Sequence, residues 1–575
     1  MEQRIVVLDI ETNMSEKNRI IWMCVTKDLI TKEIKIWNQA NGLWEYLKDF
    51  TKIVMHNGIS FDAYLLNRLW KTKISLTKVI DTLVISRLLN PSRENGHSLG
   101  AWGKILTLGR NEETGKMDYP ALWEESRGRK QEYQGECFDY PVMHIMTDYC
   151  VQDVNLTERL YYHLIYDIEE SKFSEQSIEL EHKVQAIVST QERNGFLLDI
   201  PYAMSLLAEI KSKMSNIVDD MQIRFPPVVY ERISEKTGKK LADGVDVFNP
   251  GSRKQIADRL MKLGWKPDKT TEKGAIIVDE STLVTCDLPE AKIVLEYMML
   301  QKRSAQLESW LEAAGDDGRV HGKIITNGAV TGRMTHHSPN MAQVPNSGSI
   351  YGIECRKCWT VAKGYVQVGA DASGLELRML AHYMKDADYT NEVVNGDIHT
   401  KNQTAAGLPT RNNAKTFIYA FLYGAGAAKI GSVVGGGAKE GQKLIDSFLK
   451  ATPALAKLKE TVARLAQKGT LLGLDGRKII VRSEHAALNS LLQSAGAIVM
   501  KQALIILDQK IRINKWDAKF IANVHDEWQL EVKEGQEHLV GVAAKESIKE
   551  AGEHFKMRCP LDGEYKTGSN WSECH

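Results

Sequence analysis

No apolar run in this chain looks long enough to cross a bilayer, and the opening MEQRIVVLDIET lacks the basic and then apolar profile of a signal peptide. The expectation is a cytoplasmic protein with no membrane partner. Eight cysteines among 575 residues are too few and too scattered for a disulfide framework, which fits a reducing compartment. Cys355 and Cys358 form a CxxC, but no second Cys or His pair stands at zinc-finger distance, so two ordinary thiols are expected. There is no excess of either charge, 74 Lys and Arg against 74 Asp and Glu. That argues against indiscriminate coating of nucleic acid and leaves room for a groove with basic walls. Internal repeats and low-complexity tracts are absent as well.

What the sequence does have is length, far more than one hydrophobic core spans, so several subdomains in at least two folding units are expected. RIVVLDIE, IIWMCVTKDL, EIKIWN and KIVMHN read as strands, and FDAYLLNRLW as a helix. From about residue 148 to 171 the pattern is helical, and a second amphipathic helix around 177–192 ends near Asn194-Gly195, a C-cap signal. Residues 201–306 read as mostly helical, interrupted by PPVVYERISEKTGKKLADGVDVFNPGS, a polar, turn-rich and exposed stretch. Beyond Lys323 strands and helices mix again. GYVQVGADAS is a strand, NAKTFIYAFLYGAG a helix, and FIANVHDEWQLEV a hairpin with His525, Asp526 and Glu527 at or beside its tip.

Two groups of acids carry the chemistry. Asp9 and Glu11 lie two apart on one strand and leave the same face. Asp62 opens a helix after the turn HNGIS, and Tyr149 and Asp153, four apart, share a helix face. In the second group Asp371 ends the strand YVQVGADAS and Asp526 sits on the tip of the hairpin, so the two can meet on one sheet surface. Adjacent acids repel, and a divalent cation between them would remove that cost. On the helix RNNAKTFIYAFLYG, Arg411, Lys415, Tyr419 and Tyr423 recur every four residues as one slanting stripe, cationic at the N-terminal end and aromatic at the other.

The segments DIE, HNGISFD and YCVQD resemble the three motifs of the DEDD proofreading exonucleases, and DASGLELR, RNNAKTFIYAFLYG and VHDE resemble motifs A, B and C of the family A DNA polymerases. The likeness continues through TGRMTHHSPNMAQVP, GDIHTKNQ and HAALNSLLQSAGA, and is greatest with the replicative polymerases of T-odd-type short-tailed phages, down to the ending NWSECH. This resemblance implies an α/β, RNase H-like exonuclease domain with a mixed sheet over residues 1–172. It implies an α+β polymerase domain of palm, fingers and thumb over residues 173–575. The thumb would be about 175–320, the palm about 321–390 and 475–575, and the fingers about 391–474. The activities implied are template-directed DNA synthesis and 3′-5′ proofreading, in host bacterial cytoplasm if the chain is phage-encoded.

The roles that follow are those the resemblance implies. Asp9, Glu11, Asp62 and Asp153 hold two Mg²⁺ ions, and Tyr149 orients the attacking water. Asp371, Asp526 and the carbonyl of Ala372 hold two more. Arg411, Lys415 and His399 neutralise the triphosphate, and Lys415 protonates the leaving pyrophosphate. Glu376 packs beneath the incoming sugar and excludes a 2′-hydroxyl, through clash and an acceptor already engaged. Tyr419 gives tolerance of dideoxynucleotides, and Tyr423 stacks near the templating base. Arg333, Gln343, Gln493 and His525 touch the primer-terminus minor groove or backbone, with Asn489 one turn from Gln493. Glu527 is a supporting acid rather than an obligatory ligand, since adjacent strand residues face opposite ways.

Relatives among those phage polymerases carry a long thumb insertion that recruits host thioredoxin. Between Phe225-Pro226-Pro227 and Phe248-Asn249-Pro250 this chain has only VVYERISEKTGKKLADGVDV, expected as a short polar loop bearing Lys236, Lys239 and Lys240. Thioredoxin is therefore not an expected partner. Primer-template DNA and dNTPs are, a phage helicase–primase and a single-strand binding protein are candidates, and the chain is expected to be a monomer. A bacterial repair polymerase of the polymerase I type is the alternative. A single-subunit RNA polymerase is disfavoured by Glu376 and the nuclease motifs, and a DNA-binding protein with spent sites by the full set of carboxylates.

Overall fold

A computed structural model describes residues 4–13, 18–106, 143–267 and 269–574. Its N-terminal part is a five-stranded mixed sheet, ordered Ile34–Trp37, Ile21–Asp28, Ile5–Thr12, Lys52–Met55, Val79–Asp81. Ile5–Thr12 runs antiparallel to one neighbour and parallel to the other. Its side chains alternate between two covered faces. Val6, Leu8 and Ile10 pack with Leu65 and Leu66, while Val7 lies with Met146, Cys150 and Val154 of helix Met143–Ser171. Burial on both sides explains why this strand reads as an almost unbroken apolar run. It also puts Asp9 and Glu11, which alternate in phase with Val7, on the side covered by that 29-residue helix.

Ser174 caps the next helix, Glu175–Asn194, and Gly195 ends it at φ 62°, as the Asn-Gly pair predicts. A Cβ at Gly195 would lie 2.8 Å from the ring of His321, so both backbone angle and space demand glycine there. This helix is a buried polar seam between the N-terminal sheet and the rest of the chain. Toward the sheet, Ser189 and Gln185 bond Ser60 at 2.7 and 3.0 Å, and His182 Nε2 accepts the Asp81 backbone N–H at 2.9 Å. Toward the C-terminal part, Glu181 Oε1 takes Lys501 Nζ and Arg477 Nη2, each at 2.7 Å. Asp475 also holds Arg477, through the same Nη2 at 2.7 Å and through Nε at 2.9 Å, and Asn327 Oδ1 accepts from Lys501 at 2.9 Å.

Two 25-residue helices, Ile200–Arg224 and Pro289–Ala313, pack side by side through Leu206 and Ile210 against Leu300, Leu307 and Trp310. The stretch expected as a short polar loop is instead a two-stranded hairpin, Val228–Tyr230 with Gly244–Asp246, extended by a bridge between Ile233 and Lys240. β-Branched and aromatic residues at the ends, Val228, Val229 and Tyr230 opposite Val245, outweighed the polar middle. It leaves Val229, Ile233 and Val245 exposed and pairs Lys240 with Glu231 at 3.0 Å.

The C-terminal part is built on a four-stranded antiparallel sheet, ordered Ala518–Val524, Glu527–Lys533, Tyr365–Ala372, Gly563–Gly568. One face puts Val368, Trp528, Leu530 and Val532 into the largest core, against helices Glu484–Asn514 and Glu537–His554. Glu484–Asn514 corrects the reading that no run could span a bilayer. Among the described residues it is the helix long and apolar enough, but 78% of its 18-residue window is buried inside the protein, which accounts for its composition. A helical lobe holds Arg411–Leu422 and Ala438–Ala451 together, with Phe417 and Phe421 edge-on to Phe448 at 5.2 and 5.4 Å.

Candidate active sites

The first site forms where the helix Met143–Ser171 crosses the strand Ile5–Thr12. Asp9, Glu11 and Asp153 each bring one carboxylate oxygen within 4.8 Å of the others. Asp62, first residue of its helix, joins them through Oδ1, which accepts the Ile10 backbone N–H at 3.1 Å. Tyr149 lies one helical turn before Asp153. Such crowding disfavours charge. Burial, then Asp62, Asp153 and Glu11, push the Asp9 carboxyl well above the ordinary carboxylate range, and burial pushes Asp62 up as well. An acidic set of this kind, hard oxygen donors that repel one another without a counter-charge, fits a divalent cation. Cys150 was not singled out from sequence, yet its thiol approaches Asp9 Oδ2 at 3.6 Å. Its position, one residue after Tyr149 and on the buried stripe, was the available signal.

The second site is the tip of the hairpin. Val524 pairs with Glu527, so His525 and Asp526 alone make the turn, with His525 at φ 57°. The strand Tyr365–Ala372 comes alongside with Asp371 in register with Glu527, and the Ala372 N–H donates to the Asp526 carbonyl at 3.1 Å. This bond carries the ladder that runs from Tyr365–Lys533 to Asp371–Glu527 on to the turn that holds Asp526. Burial, Glu376 and Glu527 raise the Asp526 carboxyl, and Arg333 opposes them. Glu376 is held by two donors, Tyr423 Oη at 2.7 Å and Arg333 Nη2 at 3.1 Å. That oxygen therefore already accepts two hydrogen bonds.

The helix Arg411–Leu422 faces this tip. Burial, Glu376 and Asp526 raise the Tyr419 hydroxyl, so that ring lies within electrostatic reach of both acids. Tyr419 and Tyr423 stack with centroids 6.5 Å apart, and Tyr423 closes the helix as its C-cap. Burial, then Arg411 and Lys415, lower the His399 imidazole, so a neutral ring stands within electrostatic reach of two cations. Arg411 Nε donates to Asp397 Oδ2 at 2.7 Å, a partner not singled out earlier. Asp397 is the N-cap of Ile398–Ala406, and an Asp just before a helix is the sequence signal that could have found it.

Asn489 and Gln493 are half-buried positions on the helix Glu484–Asn514, within a stretch of mostly buried residues, and Gln343 ends a short turn, exposed, with its carbonyl bonded to Gln306 at 2.8 Å. His525 shares the tip with Asp526, and burial and Arg333 lower its imidazole. Glu527 is buried, its Oε1 accepting from Trp571 Nε1 and from Gln529 Nε2 at 2.6 Å. The Cys355 and Cys358 thiols are fully buried, and burial raises both, Cys355 up to about 12.

Residues 229–573 match DNA polymerase family A, and residues 6–165 match the RNase_H superfamily. The DNA-directed DNA polymerases of Enterobacteria phage T3 and Escherichia phage T7 are 35% and 36% identical to this chain, each over 91% of it and 92% of their own length. A solved structure titled as the POL domain of Pol1 from M. smegmatis, in complex with DNA primer-template and dNTP, superposes with a TM-score of 0.79. It covers 100% of this chain and 96% of its own at 18% identity, a likeness of fold. Matched over more than half its length, and aligned with both phage polymerases over nine-tenths, the chain belongs to DNA polymerase family A.

Proposed function

We propose that the hairpin-tip site extends a DNA primer by nucleotidyl transfer and that the N-terminal acid site trims mispaired 3′ ends, in a phage-type replicative polymerase. The observation that supports this reading is the 3.1 Å bond between the Ala372 N–H and the Asp526 carbonyl, which brings the strand end carrying Asp371 against the turn carrying Asp526. The residues fit divalent cations, taken as Mg²⁺ with two at each site. Asp371, Asp526 and the Ala372 carbonyl would hold one pair, and Asp9, Glu11, Asp62 and Asp153 the other. Such ions supply charge neutralisation and a more acidic attacking oxygen. The substrates are primer-template DNA and dNTPs.

The chain's own groups do the rest. Arg411, Lys415 and His399 bind the triphosphate, and Lys415 donates the proton that leaves with pyrophosphate. Glu376, fixed by Tyr423 and Arg333, closes the floor of the sugar site against a 2′-hydroxyl. Tyr419 offers its hydroxyl beside the 3′ position, and Tyr423 stacks near the templating base. Arg333, Gln343, Asn489, Gln493 and His525 contact the primer terminus. In the trimming site Tyr149 orients the water. The nuclease domain is assigned to residues 1–172 and the polymerase domain to 173–575, acting as a monomer. With a hairpin of roughly twenty residues where relatives carry an insertion, thioredoxin is not a partner.

The test is a primer-template assay with and without dNTPs. Asp526→Ala should abolish extension and leave trimming, whereas Asp9→Ala with Glu11→Ala should abolish trimming and leave extension. Loss of both activities in either variant would show that the two sites are not separate.

A further inference from the structure

Glu527 poses a problem for a site that uses Asp371 and Asp526. It follows Asp526 directly and stands in register with Asp371, and cross-strand partners share a face, so a further carboxylate shares the face of Asp371 one residue from Asp526. It is 5% exposed. Its Oε1 is occupied by the Trp571 Nε1–H and by Gln529 Nε2, with Arg356 Nη1 at 3.8 Å. Each of these donors is itself fixed. Gln529 Oε1 accepts from Gln367 Nε2 at 2.7 Å, and Arg356 Nε donates to the Pro345 carbonyl at 3.0 Å, its guanidinium 4.8 Å from the Trp571 ring.

Trp571 comes from the segment that follows the edge strand Gly563–Gly568. That segment turns back beneath the sheet as a strap. Its backbone bridges Asn570 to Thr360, the Trp571 N–H donates to the Trp359 carbonyl at 2.9 Å, and Cys574 Sγ reaches the Gln367 carbonyl at 3.3 Å. A Cβ at Gly369 would sit 2.2 Å from the Cys574 carbonyl oxygen, so the strap lies directly against the strand that ends in Asp371.

Resting on the polymerase reading above, we infer that Trp571 is a positioning residue for extension: by donating to Glu527 Oε1 it holds that carboxylate away from the space between Asp371 and Asp526. The peptide bond couples Glu527 to Asp526, so fixing one side chain also fixes the turn that presents the other. Phenylalanine keeps an aromatic ring on the side of Phe196, whose centroid is 5.7 Å away. It removes the N–H together with part of the indole volume, a packing loss that the Glu527→Ala background below separates from loss of the hydrogen bond.

In the full chain, Trp571→Phe should lower kcat for primer extension about tenfold, which is about 1.4 kcal/mol at the transition state, with KM for dNTP held within about twofold. The Mg²⁺ concentration for half-maximal extension should rise. Trimming of a single-stranded oligonucleotide, read on the same preparation, should stay at the wild-type rate and so report an intact fold. In a Glu527→Ala background the acceptor is gone, and Trp571→Phe should cost no more than about twofold further. Wild-type extension by Trp571→Phe at every Mg²⁺ concentration would overturn the inference. So would an unchanged tenfold loss in the Glu527→Ala background, which would place the effect elsewhere. If the wild-type chain itself fails to extend a primer, it is the polymerase reading that falls.

Discussion

Glu181→Gln is the sharpest perturbation of the seam between the two parts of the molecule. The wild-type carboxylate is fully buried and takes two cations, Lys501 and Arg477, on one oxygen at 2.7 Å each. Glutamine keeps the shape and removes the charge. Arg477 retains Asp475, which grips it at 2.7 and 2.9 Å, but Lys501 is left with the Asn327 amide oxygen at 2.9 Å. Breaking a buried ion pair from one side costs about 3–5 kcal/mol. The lower end is expected here because Lys501 has an escape. Burial already lowers its ammonium to about 8 against the opposing pull of Glu181, and without Glu181 it sheds the proton. The folded lysine then sits further below its unfolded value, so the penalty grows as pH falls below about 8 and shrinks as pH rises to it. Urea unfolding followed by tryptophan fluorescence measures the loss, and hydrogen exchange over Glu175–Asn194 shows whether the seam opens first. Replacing both partners, Glu181→Leu with Lys501→Met, should recover most of it. A loss under about 1 kcal/mol for Glu181→Gln, with unchanged exchange in that helix, would refute the reasoning.

Three further outcomes are expected. Asp9→Asn removes a repelled carboxylate, so in metal-free buffer it should stabilise the chain by about 1–2 kcal/mol, and adding Mg²⁺ should reverse the order; thermal unfolding with and without EDTA checks this. Glu376→Ala should relax discrimination against ribonucleotides roughly tenfold to hundredfold, and Tyr423→Phe, which removes one of its two donors, by less; competing dNTP and rNTP incorporation measures both. His56 is held neutral, with burial lowering its imidazole to about 4 while its Nδ1 meets Thr82 Oγ1 at 2.9 Å. Its folded-state pKa lies below the unfolded value, so the stability it contributes is present above about pH 6.5 and lost as pH falls toward 4, up to about 3 kcal/mol. Unfolding midpoints at pH 7 and pH 5 should differ less in His56→Gln than in wild type.

Much of both sites was legible because short-range periodicity is enough to aim side chains. A spacing of two on a strand put Asp9 and Glu11 on one face, and a spacing of four on a helix put Tyr149 and Asp153 on another. The hairpin around Asp526 followed from alternation on both sides of a polar break. What could not be read were pairings between residues far apart in the chain. Lys501 meets Glu181 across 320 residues, and nothing local distinguishes that lysine from a solvated one. Trp571 finds Glu527 across 44 residues through an irregular strap that has no period at all. The helix Glu484–Asn514 misled in another way, since apolar character on all sides signals burial without saying whether lipid or protein does the covering. The hairpin at Val228–Tyr230 and Gly244–Asp246 was obscured by its polar centre.

The order of strands in the C-terminal sheet has a consequence for biosynthesis. Tyr365–Ala372 lies between Glu527–Lys533 and Gly563–Gly568, neither of which exists until about 150 to 190 further residues have left the ribosome. Its unpaired edges, and the long apolar helix that follows, must wait exposed or shielded by a chaperone until translation is nearly over. The N-terminal sheet and its covering helix are finished by Ser171. During its own synthesis, therefore, the molecule completes the strand and helix that carry Asp9, Glu11 and Asp153 well before the pairing that brings Asp371 to the turn of Asp526.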